Sequence, residues 1–160
     1  MTHTLYLLLG ANLGERKVTL EKALEAVRID VGPVLKQSAI YETAAWGNTD
    51  QPSFLNQVLK VLTVLGPEEV LEKTQAIENR LGRVRRDRWG SRVIDIDLLY
   101  ADDLVLETER LTVPHPFLHW RRFTLVPLAE VAPDFVHPVL RKTTRELLAD
   151  CDDTSEVVRY

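Results

Sequence analysis

The chain opens on an apolar run, Thr4-Leu5-Tyr6-Leu7-Leu8-Leu9-Gly10-Ala11, followed by Asn12. Such a run predicts a buried strand over residues 4–11. After the turn Gly10-Ala11-Asn12-Leu13-Gly14, the residues Leu20, Ala23, Leu24 and Val27 recur at helical spacing. They predict an amphipathic helix over about residues 15–29. Gly32-Pro33 breaks it, and residues 34–43 predict one strand. Residues 44–53, with Gly, Asn, Asp and Pro, read as a long loop, and 54–65 as a second long strand. Gly66-Pro67 opens a helix, with Glu68 and Glu69 in its first turn and Val70, Thr74, Ile77 and Leu81 on its inner face. Gly82 ends it. Residues 83–92 show no apolar periodicity and predict a mobile loop. Residues 93–100 predict a strand, and Ala101-Asp102-Asp103 a tight connection to a hairpin partner at 104–107. Helices follow near 124–132 and 144–150.

The first six elements run strand, helix, strand, strand, helix, strand. This order predicts an α+β fold, a ferredoxin-like split βαβ sheet with helices on one face. A length of 160 residues favours one domain over 1–160. The longest apolar run, Leu5–Leu9, is far short of the ~18 residues of a membrane span. No secretory signal is visible. The single cysteine, Cys151, supports neither an internal disulfide nor a thiolate metal site. These features predict a cytoplasmic protein. No extra apolar segment demands a partner, so a monomer is expected. The chain starts at Met1 and ends soon after the last predicted helix, which suggests no fusion to another enzyme. A net charge of −4 argues against a dedicated nucleic-acid binder.

One asymmetry changes that picture. Of 14 arginines, six (Arg80, Arg83, Arg85, Arg86, Arg88, Arg92) fall within residues 80–92, against 6 lysines in the whole chain. Guanidinium groups so concentrated in an acidic chain suit phosphate or carboxylate. The strand that follows reads Val93-Ile94-Asp95-Ile96-Asp97-Leu98-Leu99-Tyr100. Alternation places Ile94, Ile96, Leu98 and Tyr100 on a core face, with Asp95 and Asp97 together on the other. Two strand rises separate their Cα atoms by roughly 6.5–7 Å. Such a pair can hold Mg²⁺ ions. Taken separately, the acids also fit a polar strand face and the arginines a solvated charge run. Together they are what polyphosphate transfer needs. No G-x-x-x-x-G-K-[ST] loop is present, so the site is of another kind.

The stretch Arg88-Trp89-Gly90-Ser91-Arg92-Val93-Ile94-Asp95-Ile96-Asp97-Leu98-Leu99 resembles the signature of the 6-hydroxymethyl-7,8-dihydropterin pyrophosphokinase family. Leu9-Gly10-Ala11-Asn12-Leu13-Gly14, Gln51-Pro52-Ser53-Phe54-Leu55-Asn56 and Gly82-Arg83-Val84-Arg85 are similar to further family motifs. So are Glu109-Arg110-Leu111-Thr112-Val113-Pro114-His115-Pro116 and Arg122-Phe123-Thr124-Leu125-Val126-Pro127-Leu128. The resemblance covers residues 9–134. Ala11 stands where the family more often has Ser, and the tail after about residue 137 carries no family motif.

The resemblance implies transfer of the terminal diphosphate of ATP to the hydroxymethyl group of 6-hydroxymethyl-7,8-dihydropterin, with release of AMP, in folate biosynthesis. It implies Asp95 and Asp97 as ligands of two Mg²⁺ ions. Arg83 and Arg92 act on the transferring phosphates, and Trp89 closes over the site. Gln75, Glu78, Arg85, Arg110, Thr112, His115 and Arg121 match ATP contacts. Phe54 and Phe123 match an aromatic pair that sandwiches the pterin. Asn56, Thr43, Ala44 and Trp46 match positions that read its edge. Two rivals remain at this point, an RNA-binding module and an ATP sensor without turnover. Ferredoxin-like sheets host RNA-binding domains, but the aromatic strand pattern such modules carry is absent and the Asp pair is left unexplained.

Overall fold

Leu5, Leu7 and Leu9 alternate with Tyr6 and Leu8 along β1 (His3–Ala11), and all five are buried. A strand covered on both faces needs apolar residues at every position, which is why the opening run is continuous rather than alternating. The structure is a computed structural model that describes residues 1–44, 52–82 and 93–160. After β1 come α1 (Arg16–Asp30), β2 (Val34–Gln37), β3 (Tyr41–Thr43), β4 (Phe54–Thr63), α2 (Pro67–Arg80) and β5 (Asp95–Ala101). Then follow β6 (Leu106–Glu107), β7 (Thr112–Val113), a 3₁₀ turn at Leu118–Trp120, α3 (Arg122–Val131), α4 (Thr144–Asp150) and β8 (Val158–Arg159).

The main sheet has the order β5-β1-β4-β3-β8, with β2 also paired to β4, and every pairing is antiparallel. β1 and β4 sit side by side at its centre, as the predicted split βαβ order requires. Leu5, Leu7, Leu9, Leu55, Leu59, Ile94, Ile96 and Leu98 pack on one face against Leu20, Ala23 and Val27 of α1 and Val70 and Ile77 of α2. Gly32 lets α1 close onto β4: a Cβ there would lie 1.9 Å from the Leu62 carbonyl oxygen. The opposite face carries a second core. Tyr6, Leu8, Val58, Leu99 and Tyr100 meet Leu118, Leu125, Leu128 and Val131 from the 3₁₀ turn and α3, with Leu147 from α4. The two helices of the first six elements thus share one face, as their order predicts, and the later α3 and α4 cover part of the other.

Several local expectations are corrected. The single strand over 34–43 is two strands. Between them Ser38 substitutes its side chain for a ladder bond: its Oγ accepts the Val58 N–H at 2.9 Å, and its own N–H donates to the Val58 carbonyl at 2.9 Å. Tyr100 does not share a face with Ile94, Ile96 and Leu98. Leu98 pairs with Leu7 but Tyr100 with Tyr6, so one extra residue bulges the strand. The bulge turns Tyr100 into the second core. Leu106–Glu107 pairs with Thr112–Val113 and not with β5, forming a separate two-stranded sheet. β8, at two residues, is too short for any periodicity in the sequence to mark it. No helix among the described residues is long and apolar enough to cross a membrane.

Candidate active site

Register places the predicted residues before any side-chain detail is needed. Gly10 of β1 lies opposite Asn56 of β4 on one side and Asp95 of β5 on the other. Two residues back, Leu8 lies opposite Val58 and Asp97. Thr43 of β3 lies opposite Phe54 of β4. Residues two apart on a strand share a face, so Asp95, Asp97, Leu8, Gly10, Phe54, Asn56 and Thr43 all stand on the face away from α1 and α2.

A cavity of about 640 Å³ opens over this face. Thr43, Ala44, Phe54, Asn56, Phe123, Asp95, Asp97 and Arg121 all line it, eight positions proposed from the sequence. Gly10 forms its floor. A Cβ there would meet Asn56 Oδ1 at 2.9 Å, so only glycine leaves the amide oxygen its room. Asn56 is 4% exposed and donates through Nδ2 to Thr43 Oγ1 at 3.2 Å, which fixes the plane of the amide. Phe123 sits in the first turn of α3, and the Arg121 guanidinium lies 5.6 Å from its ring centre and 5.0 Å from that of Phe117. These contacts hold a cation against two aromatic faces.

The carboxylate pair is positioned by the strand and by a third acid. Glu78, buried on α2, accepts the N–H of Ile96 through Oε2 at 2.8 Å. Ile96 is the residue between Asp95 and Asp97. The two acids take part in further interactions of their own. No group of three or more His, Cys, Asp or Glu side chains that could hold a metal occurs among the described residues. Two carboxylates on one strand face, beside a cavity, fit Mg²⁺. That ion accepts one or two protein carboxylates and completes its shell with phosphate oxygens and water.

The other residues matched to ATP stand outside this lining. Gln75 is exposed and Glu78 buried, so their shared helix face does not give them a shared environment. Arg110 reaches α2 through an ion pair with Glu72 at 3.8 Å. Thr112 lies in β7, and both α2 and β7 pack against β5. His115 is anchored by its own N–H to the Leu99 carbonyl at 3.0 Å, and its Nδ1 accepts the Phe117 N–H at 3.2 Å. Burial, helped by the Arg121 charge, lowers its pKa to about 4. The ring is therefore neutral at pH 7, and the bond to Nδ1 leaves the proton on Nε2 as a donor. Arg83, Arg85, Trp89, Arg92 and Trp46 lie outside the described residues.

The structure adds residues that sequence reasoning missed. In the sequence Leu8 and Gly10 carry only strand and turn signals. Phe117 and Trp120, 44% and 62% exposed, form a tilted aromatic pair at the cavity, with ring centres 5.7 Å apart. Asp152, Asp153 and Ser155 line it from the C-terminal segment. The one available signal for the last group was Asp153-Thr154-Ser155, a spacing that suits an Asx turn.

Comparison with known proteins gives the chain a family. Residues 6–133 match the family model described as 7,8-dihydro-6-hydroxymethylpterin-pyrophosphokinase (HPPK). A 2-amino-4-hydroxy-6-hydroxymethyldihydropteridine pyrophosphokinase of Methylorubrum extorquens is 47% identical over 148 residues, 92% of each chain. The enzyme of the same name from Aquifex aeolicus is 45% identical over 143 residues, 89% of each chain. In structure, a Plasmodium falciparum HPPK-DHPS chain superposes with a TM-score of 0.77 at 20% identity. That match covers 93% of this chain and 45% of the longer one, and it speaks to the fold alone. The chain belongs to the 7,8-dihydro-6-hydroxymethylpterin-pyrophosphokinase family. It is an ATP-dependent pyrophosphokinase of folate biosynthesis, and the RNA-binding and sensor readings are not favoured.

Proposed function

We propose that the cavity over β1, β4 and β5 binds 6-hydroxymethyl-7,8-dihydropterin with its hydroxymethyl group toward Asp95 and Asp97. There the hydroxyl oxygen attacks the β-phosphorus of ATP, the bond to the α-phosphate oxygen breaks, AMP leaves and the hydroxyl proton is released. The observation that carries this reading is the convergence of Phe54, Phe123, the Asn56–Thr43 pair and both carboxylates on one cavity. Phe54 and Phe123 supply flat apolar faces for the heterocycle. Asn56 offers its edge a fixed amide, and Gly10 keeps the floor low enough for a ring to lie across it.

Asp95 and Asp97 would hold two Mg²⁺ ions, which neutralise the phosphate charge when bound. Arg121 adds positive charge at the same cavity. Neutral His115 offers Nε2–H as a donor, and with Gln75, Glu78, Arg110 and Thr112 it makes up the ATP side. Arg83, Arg85, Arg92, Trp89 and Trp46 keep the roles that the sequence resemblance implies. Positioning and electrostatics carry most of the rate in loose phosphoryl transfer. The reading takes the chain as a cytoplasmic monomer acting on two small molecules, without nucleic acid or membrane.

Incubating the protein with Mg²⁺, ATP and the pterin alcohol should give AMP and the pterin diphosphate in equal amounts. Formation of ADP, or turnover of ATP without a diphosphorylated pterin, overturns the reading.

A further inference from the structure

The C-terminal segment, residues 151–160, lies beyond the part of the chain that the family model matches. It is nevertheless tied to both sides of the cavity. Asp153 Oδ2 accepts the backbone N–H of Arg122, the first residue of α3, at 3.0 Å. Asp153 Oδ1 accepts the N–H of Ser155 at 2.9 Å and its hydroxyl at 2.5 Å. Further on, β8 pairs with β3, and the Tyr160 N–H donates to the Ile40 carbonyl at 2.8 Å. The Tyr160 ring lies 5.7 Å from the guanidinium carbon of Arg16. Arg16 donates to Glu42 Oε2 at 2.8 Å and to the Ser53 carbonyl at 2.9 Å, one residue before Phe54.

The first turn of α3 is short of its own restraints. Its N-cap residue, Arg121, makes no side-chain cap bond. Pro127 inside the helix has no N–H to give the Phe123 carbonyl four residues back. The bond from outside, to Asp153, supplies the missing cap. A carboxylate there also meets the positive end of the helix. Burial raises the Asp153 pKa, but the bonds from Ser155 and the Arg122 amide outweigh it and hold the carboxyl below its ordinary value.

We propose that Asp153 is a positioning residue for the pterin subsite: it caps α3 from the C-terminal segment and so fixes Phe123 over the cavity. The proposal rests on the reading of Phe123 as a pterin-stacking residue. It assigns the tail a part in substrate selection, because the strap from α3 to β3 sets how the cavity closes around a flat ring.

The test uses the full chain and its single and double variants D153A, D153N, F123A and D153A/F123A. Equilibrium binding of the pterin alcohol and of a non-hydrolysable ATP analogue is measured for each with Mg²⁺. D153A should weaken pterin binding about fivefold, the order carried by loss of one helix cap, with the ATP analogue within about twofold of wild type. D153N, whose amide oxygen still accepts the Arg122 N–H, should recover most of the loss. In the F123A background, D153A should change pterin affinity less than about twofold, since its effect passes through the ring. D153E, which keeps the charge and displaces the carboxylate, serves the same comparison where D153A does not fold. Full additivity of D153A and F123A, or equal losses for both ligands, overturns the positioning role. A loss in F123A with none in D153A or D153E overturns it while leaving the stacking reading intact. No loss in F123A removes the stacking reading and the proposal with it.

Discussion

Glu78 on α2 accepts the backbone N–H of Ile96 at 2.8 Å, and so grips β5 at the residue that separates Asp95 from Asp97. The spacing of the two carboxylates is thus set by the pleat and its depth by a buried acid. Glu78→Ala leaves a buried N–H without its acceptor and should cost about 1–3 kcal/mol of stability. Turnover should fall with it, because the acid pair is displaced. Glu78→Gln keeps an acceptor and should retain most of the stability. Chemical denaturation beside steady-state kinetics checks both.

Asp95→Asn and Asp97→Asn should each lower turnover by at least about a hundredfold, the order lost when transition-state charge stabilisation is removed. Far-ultraviolet circular dichroism should match wild type, since both side chains stand on the cavity face. The Mg²⁺ concentration giving half-maximal activity should rise in each. Near-normal turnover at ordinary Mg²⁺ would contradict the assignment.

Gly10→Ala should weaken pterin binding about tenfold while sparing ATP. The added Cβ, 2.9 Å from Asn56 Oδ1, forces the amide to move or the ring to lift from the floor. Calorimetric titration with each ligand separates this from general loss of fold, which would weaken both.

His115 gives a pH dependence of definite sign. Its folded-state pKa is about 4, below the ordinary 6.5, because burial and the Arg121 charge disfavour the imidazolium. Between those values the unfolded chain binds a proton that the folded chain does not. Its contribution is present above pH 6.5 and lost as pH falls toward 4. Wild type should therefore lose more stability than His115→Gln between pH 7 and pH 5, measured by urea unfolding at each pH. Burial also lowers the pKa of His119 and His137, so the comparison between the two proteins, not the wild-type slope alone, decides the point.

Tyr100→Phe should leave stability unchanged or raise it. The Tyr100 hydroxyl is buried without a hydrogen-bond partner among the described residues, while its ring packs on Phe135 with centres 4.4 Å apart. Removing an unsatisfied polar atom and keeping the ring relieves a desolvation cost. A fall in the unfolding midpoint would show that the hydroxyl is satisfied in solution.

Much of this was legible in the chain itself. The order of the first six elements rests on long apolar runs and helical spacing, both local signals. The pairing of Asp95 with Asp97 needed only strand alternation. What escaped was decided by pairing across distance. The bulge at Leu99 appears only when β5 is laid against β1, and it moves Tyr100 between cores. Leu106 and Glu107 follow a tight turn that looks like a hairpin, yet pair forward with β7. Ser38 breaks a strand because its hydroxyl finds Val58, twenty residues away. On the site side, Phe54 and Phe123 are ordinary core candidates until the fold places them on one cavity. Asp153 had no local signal beyond a turn, since its partner is an N–H thirty-one residues earlier.

β8 has a consequence for the behaviour of the protein in solution. It is a two-residue strand laid along the outer side of β3, so the sheet ends there in a short, exposed segment that carries Arg159. Short, charged end strands discourage a second molecule from adding its own backbone to the sheet. Without residues 156–160, Tyr41 and Glu42 would offer that ladder of N–H and C=O groups to a neighbour. Self-association would follow, growing with protein concentration and visible by light scattering before any loss of catalysis.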